Sequence, residues 1–218
     1  MKTRFEAQRD DLELQVTVLR GRNRALFLLV YAQRFAPLFR RFESRAKFAS
    51  TGFDSVLDGL WLSAKGSKSN GRLGEDLLRL IPGEDWVVGG FYDAIAQYVG
   101  GLAMGALEGL ESHAGIDGTP EVGVFDILRL LLSEMRLSCS DPGDTPDGVK
   151  FESELHKDQI VVDEAQFWRR LLSKLAPDAV AIDDLQEFAV ANSFDPVRLE
   201  PELSRGLAQD ARDGSRRS

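Results

Sequence analysis

Residues 86–111 read WVVGGFYDAIAQYVGGLAMGALEGLE and form the longest mainly apolar stretch of the chain. As a helix, these 26 residues would extend about 39 Å, at roughly 1.5 Å per residue. Their apolar side chains surround most of the circumference, which predicts a helix buried on several sides. Gly101, Gly105 and Gly109 recur every four residues and therefore lie on one face, where a partner helix can approach closely.

The same glycine spacing is typical of membrane helices that dimerise, but charged residues argue against a membrane span here. Asp93 and Glu108 interrupt the apolar stretch, so it has no charge-free run of about 18 residues, the length that a membrane helix needs. We therefore expect a helix buried within one chain, with no membrane partner. Docking of the glycine face against a second copy, which would make a homodimer, is the alternative.

The segments on either side of this stretch have mostly helical periodicity. The apolar pattern predicts helices at 25–35, 38–47, 53–64, 73–81, 120–138, 154–175 and 177–191, with a break at Pro37. Thr51, Asn70 and Thr119 are expected to cap three of them. Residues 5–19 fit a strand as well as a helix, and both interpretations stay open.

Together these segments predict an all-α fold. We expect one domain at residues 1–203, a bundle of seven or eight helices around the buried central helix at about 86–111. The polar residues 204–218 are expected to form a disordered tail.

Composition places the chain among ordinary globular proteins. Its 218 residues are 43% hydrophobic and 28% charged, and its single cysteine, Cys139, excludes an internal disulfide framework. The first residues contain no apolar core of the signal-peptide kind, so we expect a cytoplasmic protein. The net charge of −8 is unevenly placed, because residues 1–50 carry 11 basic and 5 acidic residues and the remainder is strongly acidic. The basic end could meet an anion, and the acidic remainder a basic protein.

Side chains that carry catalysis or bind metals are scarce in this sequence. His113 and His156 are the only histidines, and Glu152, one helical turn before His156, makes a pair without further metal ligands. The loop at 66–71 has the glycine spacing of a phosphate-binding loop, but Arg-Leu follows where Lys-Ser or Lys-Thr is required. We therefore expect no catalytic residue, no metal site and no cofactor, and a binding protein rather than an enzyme.

The acidic residues of the second half suggest a surface for a basic protein partner. The loop at 140–148 is rich in Pro, Gly and Asp, and its acids continue into the next helix. The candidate partner-binding residues are Asp141, Asp144, Asp147, Glu152, Glu154, Asp183 and Asp184. Such a surface would steer a basic partner electrostatically, and an immunity protein that covers the positive cleft of a nuclease-type toxin is one specific version.

Two other classes of function stay open. Nucleic acid or phosphate could bind the basic N-terminal region, although the acidic total and the lack of a nucleic-acid motif make nucleic acid the less expected partner. The candidate anion-binding residues are Arg34, Arg40, Arg41 and Arg45. An enzyme could instead assemble its site from dispersed helical residues such as Asp58, Tyr92 and Asp93.

With these residues in view, the chain resembles a bacterial, all-helical family catalogued as domain-of-unknown-function family 416. The similarity lies in short apolar motifs that recur in the same order and spacing over roughly residues 12–200. They include AQRF at 32–35, PLF at 37–39, LDGLW at 57–61, IP at 81–82, GFYDA at 90–94 and FWRRLL at 167–172. The family tends to carry an acid where this chain has Ala96, and the loop at 140–148 is longer here. The resemblance implies an all-α fold and brings no established activity, so no functional residue is carried over.

Overall fold

The computed structural model describes residues 3–19, 21–46, 52–67, 71–82, 90–111, 116–137, 150–151, 153–176 and 179–196. The predicted all-α bundle is confirmed, because these residues contain eight α-helices and no strand. The helices are α1 (Arg4–Thr17), α2 (Arg22–Ala46), α3 (Gly52–Ala64), α4 (Leu73–Leu80), α5 (Phe91–Glu111), α6 (Gly123–Leu137), α7 (Gln159–Leu175) and α8 (Ile182–Ala191). Two 3-10 helices, Pro120–Val122 and Leu155–Lys157, precede α6 and α7. The predicted tail at 204–218 lies outside the described residues.

Helices α2 and α5 form the centre of the bundle and make its most extensive helix–helix contact. The predicted buried helix is confirmed over Phe91–Glu111, where ten side chains or glycines are buried. It shares the centre with α2, in which every residue from Ala25 to Ala32 is 1% exposed or less. Eight successive buried residues cover more than two helical turns, so this part of α2 is enclosed on all sides. Helices α3, α7 and α8 pack on α2, and α4 and α6 pack on α5.

Two glycines of α5 let α2 come close. A Cβ atom added at Gly109 would lie 2.7 Å from the Cβ of Ala25, and one added at Gly105 would lie 2.9 Å from the Cδ1 of Leu28. Both distances are shorter than real carbon–carbon contacts, so only glycine fits without a shift. Gly101, the third glycine of the predicted face, has open space around its Cα. The expected close approach within one chain is therefore made by two of the three glycines.

The predicted break at Pro37 is wrong, because α2 continues through this proline. Pro37 has no N–H to donate to the carbonyl of Gln33, one turn earlier, and a proline inside a helix costs about 3 kcal/mol. Burial on both sides of the proline outweighs this cost, since Phe35, Leu38 and Phe39 are fully buried. The carbonyl of Arg34, next to Gln33 in the same turn, accepts a hydrogen bond from outside the helix, from the backbone N–H of Phe194 at 2.8 Å.

The open question at residues 5–19 is resolved as a helix. Thr3 and Glu6 form a reciprocal capping box at the start of α1, and Phe5, Leu12 and Val16 face the core. The apparent strand alternation arises because Leu14 and Val18 are apolar but exposed. The alternation of apolar and polar residues therefore came from apolar side chains in solvent, and it did not indicate a strand with one buried face.

Three helix starts differ from their predicted positions. The Thr119 side chain makes no capping hydrogen bond, and a 3-10 turn at Pro120–Val122 follows it before α6 begins at Gly123. Helix α7 begins at Gln159 rather than 154, because the side chain of Asp158 accepts the N–H of Ile160 and caps it. Helix α8 begins at Ile182 rather than 177. The predicted caps Thr51 and Asn70 lie outside the described residues.

Alanine substitutions at Gly109 and Gly101 test the approach of α2 to α5. We expect Gly109→Ala to lower the free energy of unfolding by about 1–3 kcal/mol, because Ala25 has no rotatable side chain that could yield to the new methyl group. Gly101→Ala is the matched control on the same helix, and it should raise stability by about 0.5–1 kcal/mol because alanine favours the helix. Urea denaturation measures both; equal effects at the two positions would contradict the close approach.

Candidate functional site

Arg34, one of the four candidate anion-binding residues, is committed to an internal ion pair. Its guanidinium donates to both carboxylate oxygens of Glu164 on α7, with Nη2 lying 2.8 Å from Oε2. The Arg34 and Glu164 side chains are 12% and 1% exposed. Arg34 also donates to the backbone carbonyl of Asn192, after α8. This residue therefore joins α2, α7 and the segment after α8, and its donors face the protein interior.

Aromatic rings enclose the Arg34–Glu164 pair. The Arg34 guanidinium lies 4.1 Å from the ring centre of Phe167, and Tyr31 packs edge-on against the same ring. Burial raises the pKa of the Tyr31 hydroxyl well above its ordinary value, and the nearby Glu164 carboxylate raises it further. Tyr31 therefore stays neutral. The cluster connects α2, α7 and the segment after α8.

Arg40 and Arg41 lie together on the wall of a cleft at the end of α2. Its volume is about 500 Å³, and its walls are Pro37, Arg40, Arg41 and Ser44 on one side and residues 193–196 on the other. Arg40 donates from Nε and Nη2 to the carboxylate of Asp54 on α3, at 2.9–3.1 Å. The Arg40 and Asp54 side chains are 48% and 41% exposed. The structure thus brings two of the four candidate arginines into one solvent-open site.

Arg45 points to a different place. Its guanidinium lies 4.8 Å from the ring centre of Tyr92, at the start of α5. Burial raises the pKa of the neighbouring Asp93 carboxyl, and the Arg45 charge partly opposes that rise. Tyr92 and Asp93, two of the three residues suggested for a dispersed enzyme site, therefore share this basic neighbour. The third, Asp58, is exposed on α3.

The predicted acidic surface is only partly within the described residues. Asp141, Asp144, Asp147 and Glu152 lie outside them. Glu154 is exposed near the start of α7, with its carboxylate 3.4 Å from Lys157 Nζ. Asp183 and Asp184 lie on the first turn of α8, beside the opposite end of α7.

Helix α7 sets the distance between the two described parts of this surface. Its 17 residues correspond to roughly 25 Å of helix between Glu154 and the turn that carries Asp183 and Asp184. Asp183 Oδ1 also lies 2.8 Å from Lys65 Nζ, although the Asp183 side chain is 81% exposed. Lys174 and Asp184 line one small cleft. The described acids therefore make two separate patches, and the one on α8 is mixed with basic side chains.

Four buried carboxylates among the described residues were not expected from the sequence. Glu43, Glu121, Glu134 and Glu164 are all 4% exposed or less. Glu121 pairs with Arg24 of α2 at 3.0 Å, as Glu164 pairs with Arg34. The only sequence signal for these pairs is the unequal charge of the two parts of the chain, since an acid in an amphipathic helix normally faces solvent.

Glu43 caps α3 from the neighbouring helix. Its Oε1 accepts the backbone N–H of Phe53 at 3.0 Å. Burial raises the pKa of this carboxyl, and the nearby Asp54 charge adds to the rise, while the Phe53 hydrogen bond and Arg40 oppose it. Glu43 therefore acts as a structural hydrogen-bond acceptor at the start of α3, and its burial disfavours its charged form.

The raised pKa of Glu43 makes a pH-dependent prediction. Because the pKa of Glu43 is raised in the folded state, the folded chain holds this proton to a higher pH than the unfolded chain does. The resulting stabilisation is complete below the ordinary pKa of a glutamate, and it is lost as the pH rises through the raised pKa of the folded state. Glu43→Gln keeps an oxygen acceptor for the Phe53 N–H but cannot ionise. We expect the variant to gain stability relative to the native chain between about pH 4 and about pH 7. Urea denaturation at the two pH values measures this gain, and an equal difference at both would contradict the burial of a titrating Glu43.

Neither a cluster of metal ligands nor a membrane-spanning helix is found in the part of the chain that the structure describes. No group of three or more His, Cys, Asp and Glu side chains there is placed to hold a metal ion. Among the same residues, no helix combines the length and apolar character needed to cross a membrane.

Comparisons with known proteins give no independent indication of function. No protein-family model matches the sequence, and no curated protein or solved structure matches it. The resemblance to family 416 therefore stays a prediction, and the function has to be argued from the geometry of the chain itself.

Proposed function

We propose that this protein works by binding a basic, helical segment of another protein, without catalysing a reaction. The observation that carries the proposal is an exposed stripe on α1. Its members follow at intervals of three and four residues, so they lie on one face of the helix. They are Arg4, Ala7, Asp11, Leu14 and Val18.

Leu14 and Val18 supply the apolar part of this stripe. Their exposed fractions are 65% and 69%, although the opposite face of α1 is fully packed on the core. A single exposed apolar residue is ordinary, but two large ones a helical turn apart make a patch that a partner helix could cover. Burial of each on binding would contribute about 1.5–3 kcal/mol.

The charge next to this patch selects the kind of partner. Helix α1 carries four acidic residues against two basic ones, and three of the acids, Asp10, Asp11 and Glu13, lie within four residues of Leu14 in the sequence. A partner helix with apolar residues on one face and Lys or Arg beside them is complementary to this pattern. The acidic patch on α8 fits such a partner less well, because Lys65 and Lys174 lie beside its aspartates.

The sequence-based hypothesis of a basic partner is thus kept, and α1 is added as the surface. The specific version remains an immunity protein that covers the basic cleft of a nuclease-type toxin in the bacterial cytoplasm. A toxin gene next to the gene for this protein would be expected in that case.

A model peptide tests the surface directly. The probe is a synthetic helix of leucine and lysine with the leucines on one face, and binding is measured by fluorescence anisotropy at low and raised salt. We expect salt-sensitive binding that Leu14→Asp with Val18→Asp weakens about tenfold or more, because both apolar contacts are lost.

Leu78→Asp is the matched control, since Leu78 is 67% exposed but lies on α4. It should leave the affinity unchanged. Charge reversal at Asp183 and Asp184 separates the two acidic surfaces. An affinity that depends on Asp183 and Asp184 but not on Leu14 and Val18 would place the partner on α8, and no binding at low salt would reject the proposal.

A further inference from the structure

We propose that a groove between α3 and α4 binds a free α-amino acid with a large apolar side chain. The groove has a volume of about 320 Å³, near the lower end of the usual range for small-molecule sites. Its walls are Gly52, Ser55 and Val56 of α3 and Leu73, Asp76, Arg79 and Leu80 of α4. None of these residues belongs to the α1 surface, so either proposal can fail without the other.

Two glycines of α3 hold the walls of the groove in place. The Leu80 side chain packs directly on Gly52, where an added Cβ atom would lie 2.6 Å from Leu80 Cδ2. The Leu73 side chain packs in the same way on Gly59, where an added Cβ atom would lie 2.5 Å from Leu73 Cδ2. Helix α4 is thus seated on α3 at both of its ends, because Leu73 and Leu80 are its first and last residues. A groove whose walls are fixed before binding loses less entropy when it takes a ligand.

The floor of the groove is apolar. Val56 and Leu73 are 2% and 6% exposed, and Leu80 is partly buried beside them. These side chains offer no polar atom, so the part of a ligand that reaches the floor has to be apolar as well. An aliphatic or aromatic side chain meets this requirement, and its removal from water favours binding.

The charged side chains of the groove lie at its rim. Asp76 and Arg79 are three residues apart on α4, so they share one face, and their side chains are 46% and 74% exposed. The Arg79 guanidinium lies 3.7 Å from the Asp76 carboxylate and 3.9 Å from that of Glu75, and both distances exceed that of a hydrogen bond. Exposed contacts of this kind contribute little to stability, so a ligand can replace them with its own hydrogen bonds.

A rim with one acid and one base selects a ligand that carries both charges. The Arg79 guanidinium can bind a carboxylate through paired N–H donors, and the Asp76 carboxylate can accept hydrogen bonds from an ammonium group. Asp76 would repel a simple carboxylate, and Arg79 would repel a simple amine. In a free α-amino acid both charged groups are bonded to one carbon, which suits rim groups only 3.7 Å apart. The Ser55 hydroxyl, which has no hydrogen-bond partner among the described residues, can add a donor for the carboxylate.

An NMR titration with L-phenylalanine tests the site, because it reports both the affinity and the backbone amides that respond. We expect the shifted amides to lie in α3 and α4. Hydrocinnamate lacks the ammonium group of this ligand, phenethylamine lacks the carboxylate, and glycine lacks the apolar side chain. Each of the three should bind about tenfold more weakly or worse, because each leaves one part of the groove without its partner.

Substitutions at the rim test the two charges separately. Arg79→Gln and Asp76→Asn should each weaken the binding of L-phenylalanine about tenfold or more, since each removes a charged hydrogen-bond partner. Both side chains are exposed, so circular dichroism should show that the variants are folded. Glu75→Gln is the matched control, because it removes a carboxylate that also contacts Arg79 but does not line the groove. It should leave the affinity unchanged.

Four results would overturn the proposal. They are no binding of L-phenylalanine at millimolar concentration, equal effects of Glu75→Gln and Asp76→Asn, shifted amides that lie outside α3 and α4, and binding of hydrocinnamate as tight as that of L-phenylalanine. In the last case the ligand would be a simple carboxylate that needs Arg79 alone.

Discussion

The close approach of α2 and α5 is the constraint on which the rest of the fold depends. Ala25 and Leu28 reach the backbone of α5 because Gly109 and Gly105 have no side chains there. The two helices then enclose each other, and the other helices complete the burial from outside. At this distance the contact is made by many small dispersion attractions, which a single added methyl group would disturb. Among the described residues, no other helix has a run of fully buried residues as long as 25–32 in α2.

Ion pairs inside the fold neutralise part of the charge imbalance of the sequence. Basic residues of α2 pair with acids that lie far along the chain, Arg24 with Glu121 and Arg34 with Glu164. Removing either partner would leave a charge buried without compensation, so the pairs specify which elements meet α2. Arg40 makes a similar but exposed pair with Asp54, and an exposed ion pair of this kind contributes little to stability.

The sequence predicts the helices correctly where their buried residues recur with helical periodicity. It does not predict features that depend on contacts between distant parts of the chain. The helix at 91–111 and the core face of α3 follow from apolar patterning alone. The continuous α2 does not, because the cost of Pro37 is local and the burial that outweighs it comes from other helices. The same holds for Glu43, whose place at the start of α3 depends on how α2 and α3 meet. The cleft joins α2 to residues near 194, and nothing in local sequence connects these two segments.

Hydrogen exchange of the backbone amides tests the central role of the α2–α5 pair most directly. Amides that open only on global unfolding mark the most stable part of a fold. We predict that the most strongly protected amides lie in α2 at 25–32 and in α5 at 95–107, with one common free energy of opening equal to that of global unfolding. Helices α1 and α8, each with one face in solvent, should exchange faster. Exchange in α2 as fast as in α1, or slowest exchange in α7 alone, would contradict this account.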